Sequence, residues 1–179
     1  MVDAHIDIHD NTFFTDKDEF IWTSEKDGYN HIYLVNYSNN TEKKITTGEW
    51  DVTNVYGYNS KDQTIYFQAA KNTPTDRGIY SLNLKTNQLN EISNLKGTND
   101  ADFSSNFQYF INTHSDANHP FTFTLNNKNG KVLKVLEDNK RLNKKMDEFD
   151  LVEKTFFKIP NKDGLDLNTW MMKPTVLDT

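Results

Sequence analysis

Two short segments carry side chains that could bind a divalent metal ion. If residues 5–9 form a strand, His5, Asp7 and His9 lie on one face of it, because side chains alternate along a strand. Two imidazoles and a carboxylate are ligands of the kind that zinc accepts. Spacing alone seldom makes a closed coordination shell, so we favour a structural interpretation. Segment 114–119 also holds two histidines and an aspartate, and it is interpreted as a polar turn.

A serine-type triad is a second chemical possibility. Ser104 and Ser105 precede His114 and Asp116 at short range in the sequence, and these three residue types activate a serine nucleophile in hydrolases. However, Ser104 belongs to an aromatic-plus-polar dipeptide that occurs three times along the chain. A position that repeats is structural by default. We therefore predict no catalytic residue here.

That dipeptide is part of a pattern that the chain repeats. An aromatic and a polar residue end one strand, a polar turn follows, and an apolar, aromatic-rich strand comes next, in segments 14–22, 58–67 and 103–111. The repeats start 44 and 45 residues apart. A second series, marked by Tyr33, Tyr80 and Phe123, lies behind the first. Repeats near this length, with four short strands each, are typical of propeller blades or of another stacked array.

Alternation of apolar and polar residues predicts the strands of each repeat. The first would use residues 18–24, 30–36 and 42–46, with an Asp-Gly turn at 26–30. The second would use 50–56, 63–69, 78–84 and 89–92, and the third would run from residue 100 to about 136. The polar connection 72–77 contains a proline and is predicted as a loop.

The pattern changes at Asp138. Asp138 or Asn139 can cap a helix, and this helix has one apolar stripe that would lie on a packed surface, formed by Leu142, Met146 and Phe149. Segments 151–159 and 165–173 then alternate around a polar turn, which predicts a hairpin.

Composition excludes several classes of protein. Of 179 residues 13% are aromatic, which suits strands packed between neighbouring sheets. The net charge is −6 and 18 of the 20 basic residues are lysine, so we predict no nucleic-acid binding. The chain has no cysteine, which excludes disulfides and thiolate zinc sites. No apolar run reaches the roughly 20 residues of a membrane-spanning helix, and the first residues lack a signal-peptide pattern.

A few residues are candidates for structural roles. Trp50 is predicted to pack as a wedge between blades, and Tyr80 belongs to the second repeated series. Arg77, one of two arginines, is expected to pair with a carboxylate or carbonyl inside its own blade. The remaining candidates lie at the start of the predicted helix, where acidic groups favour the positive end of the helix dipole: Glu137, Asp138 and Asn139.

Five segments together resemble one family. They are SEKDGYNHIY at 24–33, GEWDV at 48–52, RGIY at 77–80, VLEDN at 135–139 and LNTWMMKP at 167–174. In this order they resemble the dipeptidyl peptidase IV branch of the prolyl oligopeptidase family of serine peptidases. The resemblance implies an all-β fold: the last three or so blades of an eight-bladed propeller at 1–137, a linker helix at 138–150, and the opening hairpin of an α/β-hydrolase domain at 151–179.

The resemblance also implies a function for the longer protein. The family removes N-terminal dipeptides whose second residue is proline or alanine, using a Ser, Asp, His triad. No glycines here frame the Gly-x-Ser-x-Gly turn of that nucleophile. The resemblance implies that the triad follows this segment and that the paired glutamates holding the substrate's amino group precede it, so no catalytic or substrate-binding residue is carried over, and no metal-binding residue is assigned. We expect an inactive segment that walls the substrate cavity and docks a hydrolase domain in cis. The parent is expected to be exported, homodimeric and active on peptides without a cofactor.

A second hypothesis remains open. The chain could belong to an independent propeller-like module that binds a protein or glycan. Segment 156–174 discriminates between the two, because it has no use in a freestanding propeller. In either case, blade faces left uncovered are expected to make this chain self-associate.

Overall fold

Three four-stranded antiparallel sheets follow one another along the chain. The computed structural model describes residues 11–15, 17–93, 95–149 and 151–174. Each sheet is a meander whose strands pair in chain order, and we call the sheets blades 1, 2 and 3. The predicted fold, a partial β-propeller followed by a helix and a hairpin, is confirmed.

The strands have the following bounds. Blade 1 comprises β1 (Phe13–Phe14), β2 (Glu19–Ser24), β3 (His31–Asn36) and β4 (Thr41–Lys44). Blade 2 comprises β5 (Val52–Asn59), β6 (Thr64–Ala69), β7 (Gly78–Asn83) and β8 (Leu89–Glu91). Blade 3 comprises β9 (Thr98–Phe103), β10 (Tyr109–Ser115), β11 (Thr122–Asn127) and β12 (Val132–Glu137). They are followed by α1 (Lys140–Met146) and the paired strands β13 (Thr155–Pro160) and β14 (Asp166–Met171).

The core lies between blades rather than within one sheet. One cluster joins Ile21 and Ile32 of blade 1 to Phe67 and Leu82 of blade 2. A second joins blade 2 to blade 3 through Tyr66, Ile79 and Phe110. Strand β6 supplies both clusters, because its successive side chains point to opposite faces of the sheet. This explains why β6 is an almost unbroken apolar run: both of its faces are covered.

The prediction that the helix packs through an apolar stripe is wrong. No residue of α1 is buried, and Leu142 and Phe149 remain 44% and 67% exposed. The helix has only seven residues, about two turns, and no blade lies against the stripe in the part of the chain that the structure describes. Helical periodicity was present, but the surface that it implied is not supplied by these blades.

Candidate functional site

Two recesses in the surface and the contact with the hairpin lie at one end of the blades. Because each blade is a meander, the connections between its second and third strands and those between successive blades emerge at the same end. In this chain they are residues 25–30, 45–51, 70–77, 92–97 and 116–121, and we call this end the connection face. The hairpin β13–β14 meets the same face, since Asn118 is hydrogen-bonded to Lys154 just before β13.

A cavity of about 330 Å³ opens on the connection face in blade 2. Tyr80 lines it, is 2% exposed, and has a hydroxyl with no hydrogen-bonding partner among the described residues. Burial, together with the negative charge of Glu91, raises the pKa of Tyr80 to about 12. The carboxylate of Glu91 accepts a hydrogen bond from Asn72 Nδ2 at 2.9 Å. The cavity is therefore polar at its rim and holds a phenol that stays protonated at neutral pH.

Arg77 braces the loop beside this cavity. Its Nη1 donates to the carbonyl oxygens of Pro74 at 3.0 Å and Asp76 at 2.9 Å, both in its own connection. Its backbone N–H donates to Gly97 O at 2.8 Å, and its carbonyl accepts from Asn99 N at 2.9 Å. The guanidinium is thus occupied with carbonyls of its own blade, and the backbone of Arg77 ties blade 2 to blade 3.

A buried amide network continues this link, and sequence reasoning missed it. Asn99 is fully buried, and its Nδ2 donates to the carbonyls of Arg77 at 3.0 Å and Leu95 at 2.8 Å. Asn112 Nδ2 donates to Asn99 Oδ1 at 3.1 Å, and Gln68 Nε2 donates to Asn99 O at 2.6 Å. In the sequence Asn99 lies in a polar stretch with no apolar alternation. Nothing in that pattern separates a buried amide from a solvated one.

Trp50 lies between blades 1 and 2. Its ring stacks on Phe67 of blade 2, with centroids 6.5 Å apart, and meets the edge of His31 of blade 1 at 5.1 Å. His31 is fully buried. Its Nδ1 lies 3.0 Å from Thr46 Oγ1 and its Nε2 lies 3.0 Å from Gly48 O. The Gly48 carbonyl can only accept, so Nε2 carries the hydrogen and donates to it, and in the neutral ring Nδ1 accepts from the Thr46 hydroxyl.

Burial lowers the pKa of His31 below its ordinary value of 6.5, although the hydrogen bond to the Gly48 carbonyl opposes this. The neutral ring is the form that this arrangement of partners favours. Sequence reasoning missed His31, because a single histidine at the start of an apolar strand resembles a surface residue.

The three residues at the helix start have separate partners. Glu137 Oε1 accepts from the backbone N–H of Asn139 at 2.7 Å, and Asp138 Oδ1 accepts from that of Lys140 at 3.1 Å. Asn139 occupies the N-cap position, but its side chain makes no capping hydrogen bond. Its Nδ2 donates instead to the carbonyl of Phe121, which fastens the end of β12 to the start of β11.

The residues of the imagined serine triad lie apart. Ser104 Oγ accepts a hydrogen bond from the backbone N–H of Tyr109 at 3.2 Å, at the start of β10. His114 lies near the other end of that strand, with Nε2 2.7 Å from Lys96 O. Five residues of extended strand separate the two by roughly 17 Å. Asp116 closes a turn with His119, so these groups do not act together.

Over the described ranges, no group of three or more His, Cys, Asp or Glu side chains is placed to hold a metal ion. His5, Asp7 and His9 lie outside the described residues. In the same described part of the chain, no helix is long and apolar enough to cross a membrane.

A second, wider groove joins the blades to the hairpin. It has a volume of about 520 Å³ and lies between connections 70–77, 92–97 and 116–121, with Phe156 of β13 on its far side. Asp116 and His119 stand at its edge, with His119 Nδ1 2.8 Å from Asp116 Oδ1. The connection face therefore carries two recesses, one beside Tyr80 and Glu91 and one beside Asp116 and His119.

Comparison with known proteins identifies the family. A family profile described as "Dipeptidyl peptidase IV (DPP IV) N-terminal region" matches residues 2–121. The chain belongs to this family. The resemblance read from five sequence segments is thereby confirmed.

Individual proteins similar to this dipeptidyl peptidase IV N-terminal region are themselves named dipeptidyl peptidase 4. Dipeptidyl peptidase 4 of Trichophyton equinum is 30% identical over 161 residues, which cover 88% of this chain and 21% of that protein. A probable dipeptidyl peptidase 4 of Aspergillus flavus is 26% identical over 163 residues, covering 89% of this chain and 21% of that protein. The chain thus spans about a fifth of the length of the curated relatives it matches.

A solved structure of a dipeptidyl peptidase 4 shows that the similarity includes the fold. The crystal structure of Porphyromonas gingivalis dipeptidyl peptidase 4 superposes with a TM-score of 0.86 and 37% sequence identity. The alignment covers 94% of this chain and 24% of that one. Coverage of this extent takes in more than the three blades, because blades 1 to 3 end at Glu137.

Proposed function

We propose that this chain is the propeller part, with the first hairpin of the hydrolase domain, of a serine-type peptidase that removes N-terminal X-Pro and X-Ala dipeptides. The observation that carries the proposal is the structural likeness to Porphyromonas gingivalis dipeptidyl peptidase 4, which covers 94% of this chain. In this proposal residues 1–137 are propeller, 138–150 a linker and 151–179 the start of the hydrolase domain. The strand and helix bounds support that division, since β12 ends at Glu137 and α1 begins at Lys140.

The connection face would do two things in the whole enzyme. It would wall the space through which peptides reach the active site, and it would dock the hydrolase domain. Two features support this: both recesses open on that face, and the hairpin is hydrogen-bonded to it through Asn118. The catalytic Ser, Asp and His would come from the hydrolase domain in cis, and no cofactor enters the reaction. Export and a homodimeric state of the whole enzyme are part of the same proposal.

A two-part experiment tests the proposal. The product of the natural gene that contains this sequence is assayed with a Gly-Pro chromogenic substrate, beside the 179-residue chain alone. We expect turnover by the gene product, its loss when the serine of a Gly-x-Ser-x-Gly motif is replaced by alanine, and none by the chain alone. No turnover by the gene product would overturn the proposed activity. Turnover by the chain alone would show that residues here are catalytic.

A further inference from the structure

One side chain on the connection face pairs with the hairpin as a neighbouring strand would. Lys154 N donates to Asn118 Oδ1 at 2.9 Å, and Asn118 Nδ2 donates to Lys154 O at 3.2 Å. A single carboxamide thus satisfies both backbone groups of one residue, 36 positions away in the chain. Asparagine has a donor and an acceptor on one planar group, which this double contact needs.

Little else among the described residues holds the hairpin to the blades. All six residues of β13 are exposed, and so are five of the six in β14. The helix that connects blade 3 to the hairpin buries none of its residues. Phe156 reaches the groove beside connection 116–121, but it is 55% exposed there. The two hydrogen bonds of Asn118 are therefore a large share of what sets the angle of the hairpin.

The loop that presents Asn118 is held in place by Asp116. The carboxylate Oδ1 accepts from the backbone N–H groups of Asn118 and His119, each at 2.8 Å. The ring of His119 adds a contact at 2.8 Å. Burial alone would raise the pKa of Asp116, but these hydrogen bonds outweigh it and lower the pKa. The charged carboxylate thus pre-organises the loop before Asn118 meets the hairpin.

We propose that Asn118 is a positioning residue that fixes the orientation of the hairpin, and with it the hydrolase domain, relative to the propeller. This inference rests on the proposed docking function, because the hairpin is the first element of the hydrolase domain in that proposal. Among the described residues, the side chain of Asn118 acts through its two hydrogen bonds to the backbone of Lys154.

The test measures geometry in the 179-residue chain. The chain has no cysteine, so Lys85→Cys in blade 2 and Lys162→Cys in the hairpin turn introduce two unique positions for spin labels. Pulsed electron paramagnetic resonance then gives the distribution of distances between them. The labelled chain is diluted in an excess of unlabelled chain, so that self-association contributes no distance between labels on different molecules. We expect one narrow distribution for the parent chain and a broad or shifted one for Asn118→Ala. Asn118→Asp keeps the acceptor but cannot donate to the Lys154 carbonyl. Its distance distribution should therefore be broad or shifted, as in Asn118→Ala.

Blade 3, which carries Asn118, also offers a matched control residue. Asn106 is exposed, and its Oδ1 accepts from Ser104 Oγ and Gln108 N, contacts that an aspartate preserves. Asn106→Asp should therefore leave the distance distribution unchanged. A second label pair at opposite ends of blade 2, Lys71→Cys with Lys85→Cys, should stay narrow in every variant. Broadening of that pair would mean general unfolding and would overturn a specific positioning role.

Hydrogen exchange gives an independent reading. Loss of its acceptor should speed exchange at the Lys154 amide about tenfold in Asn118→Ala, with strands of blade 2 unchanged. Unchanged exchange together with an unchanged distance distribution would overturn the proposal. Neither measurement involves peptide turnover. Failure here would leave the proposed peptidase function standing, and failure of that function would leave this result standing.

Discussion

Phe107 of blade 3 lies directly over Gly57 of blade 2. A Cβ on Gly57 would stand 2.7 Å from Phe107 Cζ, so only glycine allows this approach. Both residues have positive φ, +147° at Gly57 and +54° at Phe107. Phe107 is kept in this unfavourable conformation by its neighbours, since its ring stacks on Tyr66 with centroids 5.2 Å apart. The junction between blades 2 and 3 is thus a close contact of backbone and aromatic ring.

Gly57→Ala should therefore destabilise the chain by about 2–4 kcal/mol, combining backbone strain with overpacking against Phe107. Urea unfolding measures this. Gly28→Ala is the control, because Gly28 also has positive φ (+96°) but nothing within 4 Å of its Cβ position. It should cost only the strain, roughly 1–2 kcal/mol. Equal losses in the two variants would show that the contact with Phe107 is unimportant.

Trp50→Ala should weaken the junction between blades 1 and 2. The ring contacts His31 and Phe67 from the two blades, so its removal leaves a cavity at their boundary. We expect a loss of about 2–4 kcal/mol in the free energy of unfolding, below that of a fully buried tryptophan because Trp50 is only half-buried. Trp170→Ala removes the same side chain from a site that is 54% exposed, and should cost less than about 1 kcal/mol. The idea fails if the exposed tryptophan proves the costlier loss.

The chain should lose stability on mild acidification through His31. Its pKa is lowered by burial, so below pH 6.5, its ordinary value, the unfolded chain binds a proton that the folded chain resists. The free energy of unfolding contributed by His31 is thus present above pH 6.5 and falls as the pH drops toward the depressed pKa. Urea midpoints measured between about pH 8 and 5 should show this fall.

Two variants test whether His31 causes this loss of stability on acidification. His31→Gln removes the titrating group and should flatten the decline, although it is less stable at neutral pH. His119→Gln alters an exposed histidine and should retain the decline. An identical pH profile in His31→Gln and the parent chain would refute the assignment.

Removal of the hydroxyl group should affect the stability of the chain differently at two tyrosines. Tyr56 donates to Asp100 Oδ1 at 2.7 Å and accepts from Ala101 N at 3.2 Å, so Tyr56→Phe should cost about 1–2 kcal/mol. The Tyr80 hydroxyl is buried and has no partner among the described residues, so Tyr80→Phe should be neutral or slightly stabilising. Thermal unfolding of the pair compares them directly. A large loss in Tyr80→Phe would indicate that its hydroxyl is bonded through water in the cavity.

The exposed face of blade 3 should make the isolated chain self-associate. Four aliphatic side chains of β12 are 45–53% exposed, namely Val132, Leu133, Val135 and Leu136. Such a patch is the kind that another sheet covers. Light scattering should show a mass above 20.9 kDa that rises with concentration, and Leu133→Lys should lower it. Lys131→Glu, an exposed neighbour, is the control. A monomer at every concentration would count against this prediction.

Much of the fold could be predicted because its signals are local. Period-two alternation and helical periodicity are properties of residues close in the chain, and they predicted the strands, the helix and the hairpin. The recurrence of aromatic strands at 44 and 45 residues then grouped the strands into three blades. The apolar stripe of α1 led to a wrong prediction of packing, because periodicity shows which side chains share a face but not whether anything covers that face.

The sequence by itself determined the strand order, the repeat, the absence of cysteine chemistry and the family resemblance, because each depends on residue types and their spacing. Only the tertiary structure decided the rest: the burial of Asn99 and His31, the contact of Phe107 with Gly57, and the pairing of Asn118 with Lys154. These join residues 13 to 50 positions apart, and hydrogen bonding or close packing between blades depends on geometry that no local pattern encodes.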